Sequence, residues 1–212
     1  MSQPCDRRAK VKLPGKLDPT LKEFWSENPW ELVNEGHNLS MYERNRLWMN
    51  QRGKGFLDFS YLTGTDSEGD GRSVVAADFR NNGQMDLIVR QVGGGPLSLY
   101  ENNFPLRHYL KVSLRGTRSN RQGIGSQLTA EAGDLKQVRE LYPLNSYLSQ
   151  APSIAHFGLG DATRIERLTI RWPSGEKQVL TNLKADQHII VTEGKQGDAA
   201  WETIVPGKPI AP

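Results

Sequence analysis

From about residue 43 onward, short apolar runs recur at regular spacing with turn residues between them, and this pattern limits the chain to an all-β fold. Tyr109-Leu110-Lys111-Val112-Ser113-Leu114 and Arg167-Leu168-Thr169-Ile170-Arg171-Trp172 alternate with period two, as strands with one apolar face do. Runs at Arg46–Asn50, Phe56–Ser60, Ser73–Ala77, Met85–Val89, Leu97–Glu101, Gln178–Leu180 and His188–Thr192 complete the series. The turns are supplied by 21 glycines and 12 prolines in 212 residues. In Trp172-Pro173-Ser174-Gly175, proline and glycine stand where a β-turn wants them. The expected architecture is an antiparallel β-sandwich with a rudimentary, propeller-blade-like sheet and an N-terminal arm. The length suits one compact domain with attachments, or two small ones.

Charge and composition exclude several classes. The net charge of +3 is too mild for a nucleic-acid footprint. Basic residues thicken at Arg107, Lys111, Arg115, Arg118 and Arg121, without the interleaved aromatics of a base-stacking platform. Lys111 and Arg115 alternate on one strand face, which reads as the solvated side of an antiparallel sheet. A single cysteine, Cys5, forms no internal disulfide. No run approaches the ~20 apolar residues of a membrane helix. The basic N-terminus lacks the apolar run of a signal peptide.

The organisation expected is an arm over residues 1–36, a blade-like segment over 37–104, a sandwich over 105–195 and a tail over 196–212. Within the arm, Arg7, Arg8, Lys10 and Lys12 face few acids. Such a segment is either a solvated tail or a contact for an acidic partner or anionic lipid heads. Asp18 can cap a short helix with Pro19 in its first position. Phe24 and Trp25, with Trp30 beyond Pro29, either cover an open edge of the β core or anchor in a partner's groove.

The run Asp78-Phe79-Arg80-Asn81-Asn82-Gly83-Gln84-Met85-Asp86 has the layout of a calcium loop, with arginine in place of the second acidic ligand. Calcium takes six to eight oxygens, several of them anionic, and a guanidinium offers none. Asp78, Asn82 and Asp86 keep side-chain oxygens, and Asp70 stands in the preceding turn. Either calcium binds weakly with Arg80 swung outward, or Arg80 turns inward onto Asp78 and Asp86 as the ion's surrogate. The second arrangement is expected, since a guanidinium beside a divalent cation is strongly repelled. Arg80→Asp would then open the loop to calcium. The acidic run Asp66–Gly71 starts like an EF-hand loop, but Ala77 stands where the bidentate glutamate belongs.

None of His37, His108, His156 and His188 has a second ligand at zinc spacing. There is no G-x-S-x-G elbow, and Gly123-Ile124-Gly125-Ser126 reads as a tight bend in a strand. His156-Phe157-Gly158-Leu159-Gly160 reads as a glycine-rich turn with a structural histidine. No catalytic residue is assigned and no enzyme is expected.

Residues 105 to about 194 resemble the ASPIC/UnbV domain. The resemblance is carried by Leu114-Arg115-Gly116, Ser119-Asn120-Arg121-Gln122-Gly123-Ile124-Gly125-Ser126, Tyr147-Leu148-Ser149-Gln150, His156-Phe157-Gly158-Leu159-Gly160 and Trp172-Pro173-Ser174-Gly175. Residues 43–104 are similar to one FG-GAP or VCBS-type blade, with Gly69-Asp70-Gly71-Arg72 leading into the loop. In cartilage acidic protein and its bacterial relatives, this pairing implies a β-propeller joined to the C-terminal domain, at an extracellular or periplasmic location. A propeller needs several blades and this chain holds sequence for about one; either the sandwich folds back over the open strand edges, with the Phe24 to Val33 segment helping, or another protein covers them, and the second is expected. The resemblance thus implies a non-enzymatic accessory or scaffolding subunit on a larger, membrane-associated assembly. A calcium-assisted adhesion or glycan-binding module is the other reading.

Overall fold

A computed structural model describes residues 15–21, 25, 43–51, 53–91, 97–142, 144, 146–147 and 149–204. The fold is nearly all β, in several mainly antiparallel sheets with no closed barrel. By compactness the chain divides into two units. One takes Met1–Val74 with Ile88–Tyr100; the other takes Val75–Leu87 with Glu101–Pro212.

In the second unit, two four-stranded sheets face each other across one core. The first contains β6 (His108–Arg115), β9 (Ile154–Gly160), β12 (Gln187–Thr192) and β13 (Trp201–Thr203), in the order β13-β12-β6-β9. The second contains β7 (Gln127–Ala132), β8 (Leu135–Glu140), β10 (Arg164–Arg171) and β11 (Lys177–Lys184), in the order β11-β10-β7-β8. The period-two pattern sorts the side chains. Leu110, Val112 and Leu114 of β6 point to the core with Ala155, Phe157 and Leu159 of β9 and Ile189 and Val191 of β12. Leu128, Ala130, Ile165, Leu168, Ile170, Leu180 and Leu183 meet them from the other sheet. This apolar contact is what folding gains against chain entropy.

Three features depart from the sequence expectation. The pair β6–β12 is parallel, with Leu110 opposite Gln187 and Leu114 opposite Val191, so this sheet is mixed rather than antiparallel throughout. The segment His156–Gly160, expected as a turn, is the greater part of edge strand β9. Its glycines stand where the register slips: His108 pairs Gly160, and Tyr109 pairs Gly158. Glycine suits such a bulge. Trp201–Thr203, placed in the tail, pairs with β12 as β13.

In the first unit, β1 (Trp48–Asn50) and β2 (Phe56–Asp58) form a two-stranded antiparallel ribbon. A helical turn, α1 (Ser60–Thr63), follows. Leu47 N–H donates to Ser60 Oγ at 2.7 Å, and Arg46 pairs with Asp58 at 3.0 Å. Asp66 and Glu68 are taken up by Arg44, at 3.0 and 2.6 Å, as an ordinary loop would arrange them. Strands β3 (Gly71–Ala77), β4 (Asp86–Gln91) and β5 (Ser98–Tyr100) make a three-stranded sheet; Val75–Leu87, which holds the adjoining ends of β3 and β4 and the calcium-like run between them, is counted with the second unit. Near the N-terminus, Pro19–Leu21 is a single 3-10 turn, and Asp18 accepts from Thr20 N–H at 2.8 Å.

Phe157 is fully buried at the centre of β9. Phe157→Ala is expected to cost about 3–5 kcal/mol, through lost transfer energy and a residual cavity. Urea unfolding should show it as a lower midpoint with an unchanged slope.

Candidate functional site

The loop Asp78–Asp86 folds around its own carboxylate. Asp78 Oδ1 accepts from Asn82 N–H at 3.0 Å, and Oδ2 accepts from Gly83 N–H at 2.9 Å. Asn82 Oδ1 in turn accepts from Gln84 N–H at 3.0 Å. Closing these bonds bends the backbone into the left-handed region at Asn81 (φ 53°) and Gly83 (φ 85°). A side chain on Gly83 would also meet the ring of Tyr109, whose Cδ1 lies 2.0 Å from where a Cβ would stand.

The charge of Asp78 is met by Lys111 of β6, whose Nζ donates to Oδ2 at 2.7 Å and to Asn81 Oδ1 at 3.3 Å. Both side chains are sealed, at 8% and 3% exposure. The expectation for Arg80 therefore needs correction. Arg80 does turn inward, but onto Asp86 and not Asp78, at 2.9 Å; its Nη2 also donates to the Asn102 carbonyl at 2.7 Å, and its Nη1 lies 3.8 Å from Glu101. Asp86 is 1% exposed and accepts from Asn102 N–H at 2.8 Å through the same oxygen. Lys111 is likewise corrected. It was read on a solvated face, but that face of β6 is covered by the loop itself.

Lys111 sits in a row of three across the sheet. The register places His156 of β9 opposite it on one side and His188 of β12 opposite it on the other. His156 Nε2–H donates to the Gly83 carbonyl at 2.8 Å, and its ring stacks parallel to Tyr109 at 6.1 Å. His188 Nε2 is 2.8 Å from Ser113 Oγ. Burial lowers the pKa of His156, against the opposing pull of the Gly83 carbonyl and Asp78. Burial first, and the Lys111 ammonium second, push His188 down to about 4. Burial alone would raise Asp78; the bonds from Lys111, Gly83 and Asn82 outweigh it and hold the carboxyl below its usual range.

Glu193, just after β12, forms a second buried anion site. Its Oε2 accepts the backbone N–H groups of Thr117, Arg118 and Ser119, each at 2.8 Å, and Oε1 accepts the hydroxyls of Ser119 and Ser174. Burial opposes ionisation here, but these five donors prevail and bring the pKa down to about 2. Elsewhere in this unit, a cavity of about 320 Å³ is lined by Asn82, Arg107, Tyr109, His108 and Asp186, among others. His108 Nδ1–H donates to Asp186 Oδ2 at 2.7 Å, and Arg107 pairs with Asp161. No hydroxyl or thiol nucleophile other than the Tyr109 phenol stands among the lining residues.

The donor set does not fit calcium. Both oxygens of Asp78 are committed to two amides and an ammonium, and the bonded oxygen of Asp86 to an amide and a guanidinium. A divalent ion there would have to displace two fixed cations. Among the described residues, no group of three or more acidic, histidine or cysteine side chains is placed to hold a metal. Asp70 belongs to the other unit, with Arg72 3.9 Å away. Of the partner-binding candidates, Trp25 is half-buried. Arg7, Arg8, Lys10, Lys12, Phe24 and Trp30 lie outside the described residues. Sequence reasoning missed Lys111 and Glu193. Alternation put Lys111 on the right face but gave no sign of a cover, and no motif marked Glu193.

Residues 116–198 match the family model described as ASPIC and UnbV. The match takes in the Glu193 site and the histidine strands β9 and β12, and leaves out Lys111 and the Asp78 loop. A search of curated proteins found no match to the chain.

Two outcomes are expected of the site. Gly83→Ala should cost about 2–4 kcal/mol, from backbone strain and the clash with Tyr109, measured by chemical denaturation. Stability should also fall with acidification in two windows. An unfolded histidine binds its proton near pH 6.5, whereas His188 resists to about 4, so unfolding takes up protons between these values and stability drops as pH falls through them. Glu193 adds a second loss from about 4.5 to about 2, since the unfolded carboxylate protonates first. Urea midpoints across this pH range should decline monotonically, with Glu193→Gln removing the lower limb at a cost of about 2–4 kcal/mol at neutral pH.

Proposed function

We propose that this protein is a non-enzymatic accessory or scaffolding subunit that docks on a larger, membrane-associated assembly at its extracytoplasmic face. The observation that carries this reading is the β1–β2 ribbon with α1 beside it. All six ribbon residues are exposed, among them Trp48 (56%), Phe56 (64%) and Leu57, and Tyr61 and Leu62 of α1 are exposed as well. A two-stranded ribbon is marginal alone, and aromatic side chains at such exposure gain most by burial in a partner.

The chemistry of the second unit supports the same reading. Asp78, Asp86, Glu193 and His156 are each engaged inside the fold, which is how structural groups are used rather than catalytic ones. In this proposal the sheet β3-β4-β5, with the Asp78 loop between two of its strands, is a single FG-GAP or VCBS-like repeat, to which a partner adds the missing neighbours. The membrane side of the proposal rests on the basic, tryptophan-bearing arm over residues 1–36 and on the location implied by the family resemblance.

The test is isolation of the protein at native abundance, followed by sizing. It should elute well above its 23.8 kDa, with stoichiometric companions. Phe56→Ser with Tyr61→Ser should release it from them without changing its far-ultraviolet circular dichroism. A lone monomer would overturn the reading.

A further inference from the structure

The Asp78 loop has the form of a metal loop but not the donors for one, and its place in the fold shows what replaces the metal. We infer that Lys111 is a built-in cation: its ammonium occupies the role of a bound ion at Asp78, so that the loop closes onto the sandwich without any metal and only once β6 is in place.

Three observations and one chemical property carry this. Lys111 Nζ reaches both Asp78 Oδ2 and Asn81 Oδ1, at 2.7 and 3.3 Å, so it bridges two side chains of the loop as a coordinated ion would. The pair is sealed from water on both sides. An ammonium is a compact point charge on a flexible stem, suited to a pocket of oxygens, whereas a guanidinium is a planar fork. Arg80, the residue that breaks the acidic spacing, is committed elsewhere, to Asp86 and the Asn102 carbonyl. The two carboxylates at the ends of the loop thus each have their own cation, and neither cation serves both.

The groups that face the pair are His156 from β9, His188 from β12, and Tyr109 from β6, whose ring centroid is 5.8 Å from Nζ. Loss of the ammonium would leave Asp78 as an ionised carboxylate among these groups with only amides to hold it. Such a carboxylate has its pKa raised, and its penalty is relieved as pH falls, by protons taken up at Asp78 or at the histidines beside it.

The test uses the full chain. For the wild type, calorimetry with calcium chloride should give no submillimolar binding, and Tm should be the same in calcium and in EDTA. Arg80→Asp should bind no calcium either, because Lys111 still fills the place. Calcium binding by either protein would overturn the inference. Lys111→Met should lower Tm at neutral pH by roughly 10 °C. Its deficit should shrink on acidification, and Asp78→Asn added to it should restore part of the loss at neutral pH, since asparagine removes the unpaired charge while keeping one of the two acceptors. If Lys111→Met fails to fold, recovery of folding in Asp78→Asn/Lys111→Met supports the same conclusion. A Lys111→Met protein as stable as wild type, a deficit indifferent to pH, or a double variant no better than the single would each sink it.

Discussion

The second unit depends on the neutralisation of buried carboxylates. Asp78 and Asp86 have side chains 3% and 1% exposed, where a carboxylate without a partner could not stay ionised at modest cost. Each is met by a cation drawn from a different part of the chain: Lys111 from the middle of β6, Arg80 from the loop itself. The Lys111 pair matters more for the architecture, because its partners stand 33 residues apart and belong to the loop and to the sandwich. A buried ion pair contributes little net stability over a well-packed apolar pair, yet removing one partner is costly. Its effect is to fix which loop conformation, and which sheet face, go together.

Glu193 shows the other solution to the same problem. Among the described residues, no ammonium or guanidinium touches its carboxylate; three consecutive backbone amides and two hydroxyls converge on it instead. Charge-assisted hydrogen bonds of this kind can hold a buried anion by oriented dipoles alone. The two sites respond differently to pH. Glu193 keeps its charge far into acid, whereas the Asp78 site has His188 and His156 beside it, both held below the usual imidazole pKa by burial first and also by the ammonium between them. The histidines therefore feel acid first.

How much of this was legible in the sequence follows from what each pattern encodes. β6 and β10 are readable because bulky apolar residues alternate there, and β12 because Ile189-Ile190-Val191 is a β-branched run. In β7, Gln127-Leu128-Thr129-Ala130-Glu131-Ala132, two of three inward positions are alanine, and small residues carry a weak signal. In β9 the glycines that allow the register slip against β6 also disguise the strand as a turn. For the loop, the sequence exposed the conflict at Arg80 but not its resolution. Period-two alternation says which residues share a face with Lys111. It does not say that a segment from far upstream folds over that face, since that is decided by tertiary packing. Glu193 gave no signal because its ligands are mostly backbone amides, which every residue has.

The family match covers the Glu193 site and the strands carrying His156 and His188, but begins at residue 116, beyond Lys111. The groups that couple the loop to the sandwich therefore lie partly in matched sequence and partly outside it. With its two end carboxylates paired to Lys111 and Arg80, the loop offers no free anionic oxygens at Asp78 to a divalent ion. In the first unit, the ribbon Trp48–Asn50 and Phe56–Asp58 leaves apolar side chains exposed. There Trp48, Phe56 and Leu57 are among the exposed large apolar side chains, a set that also includes Leu106, Tyr142 and Leu144 of the second unit. Under the docking proposal, the free energy the ribbon offers for association comes from burying apolar surface, and a partner bound there would be recognised by apolar shape rather than by charge.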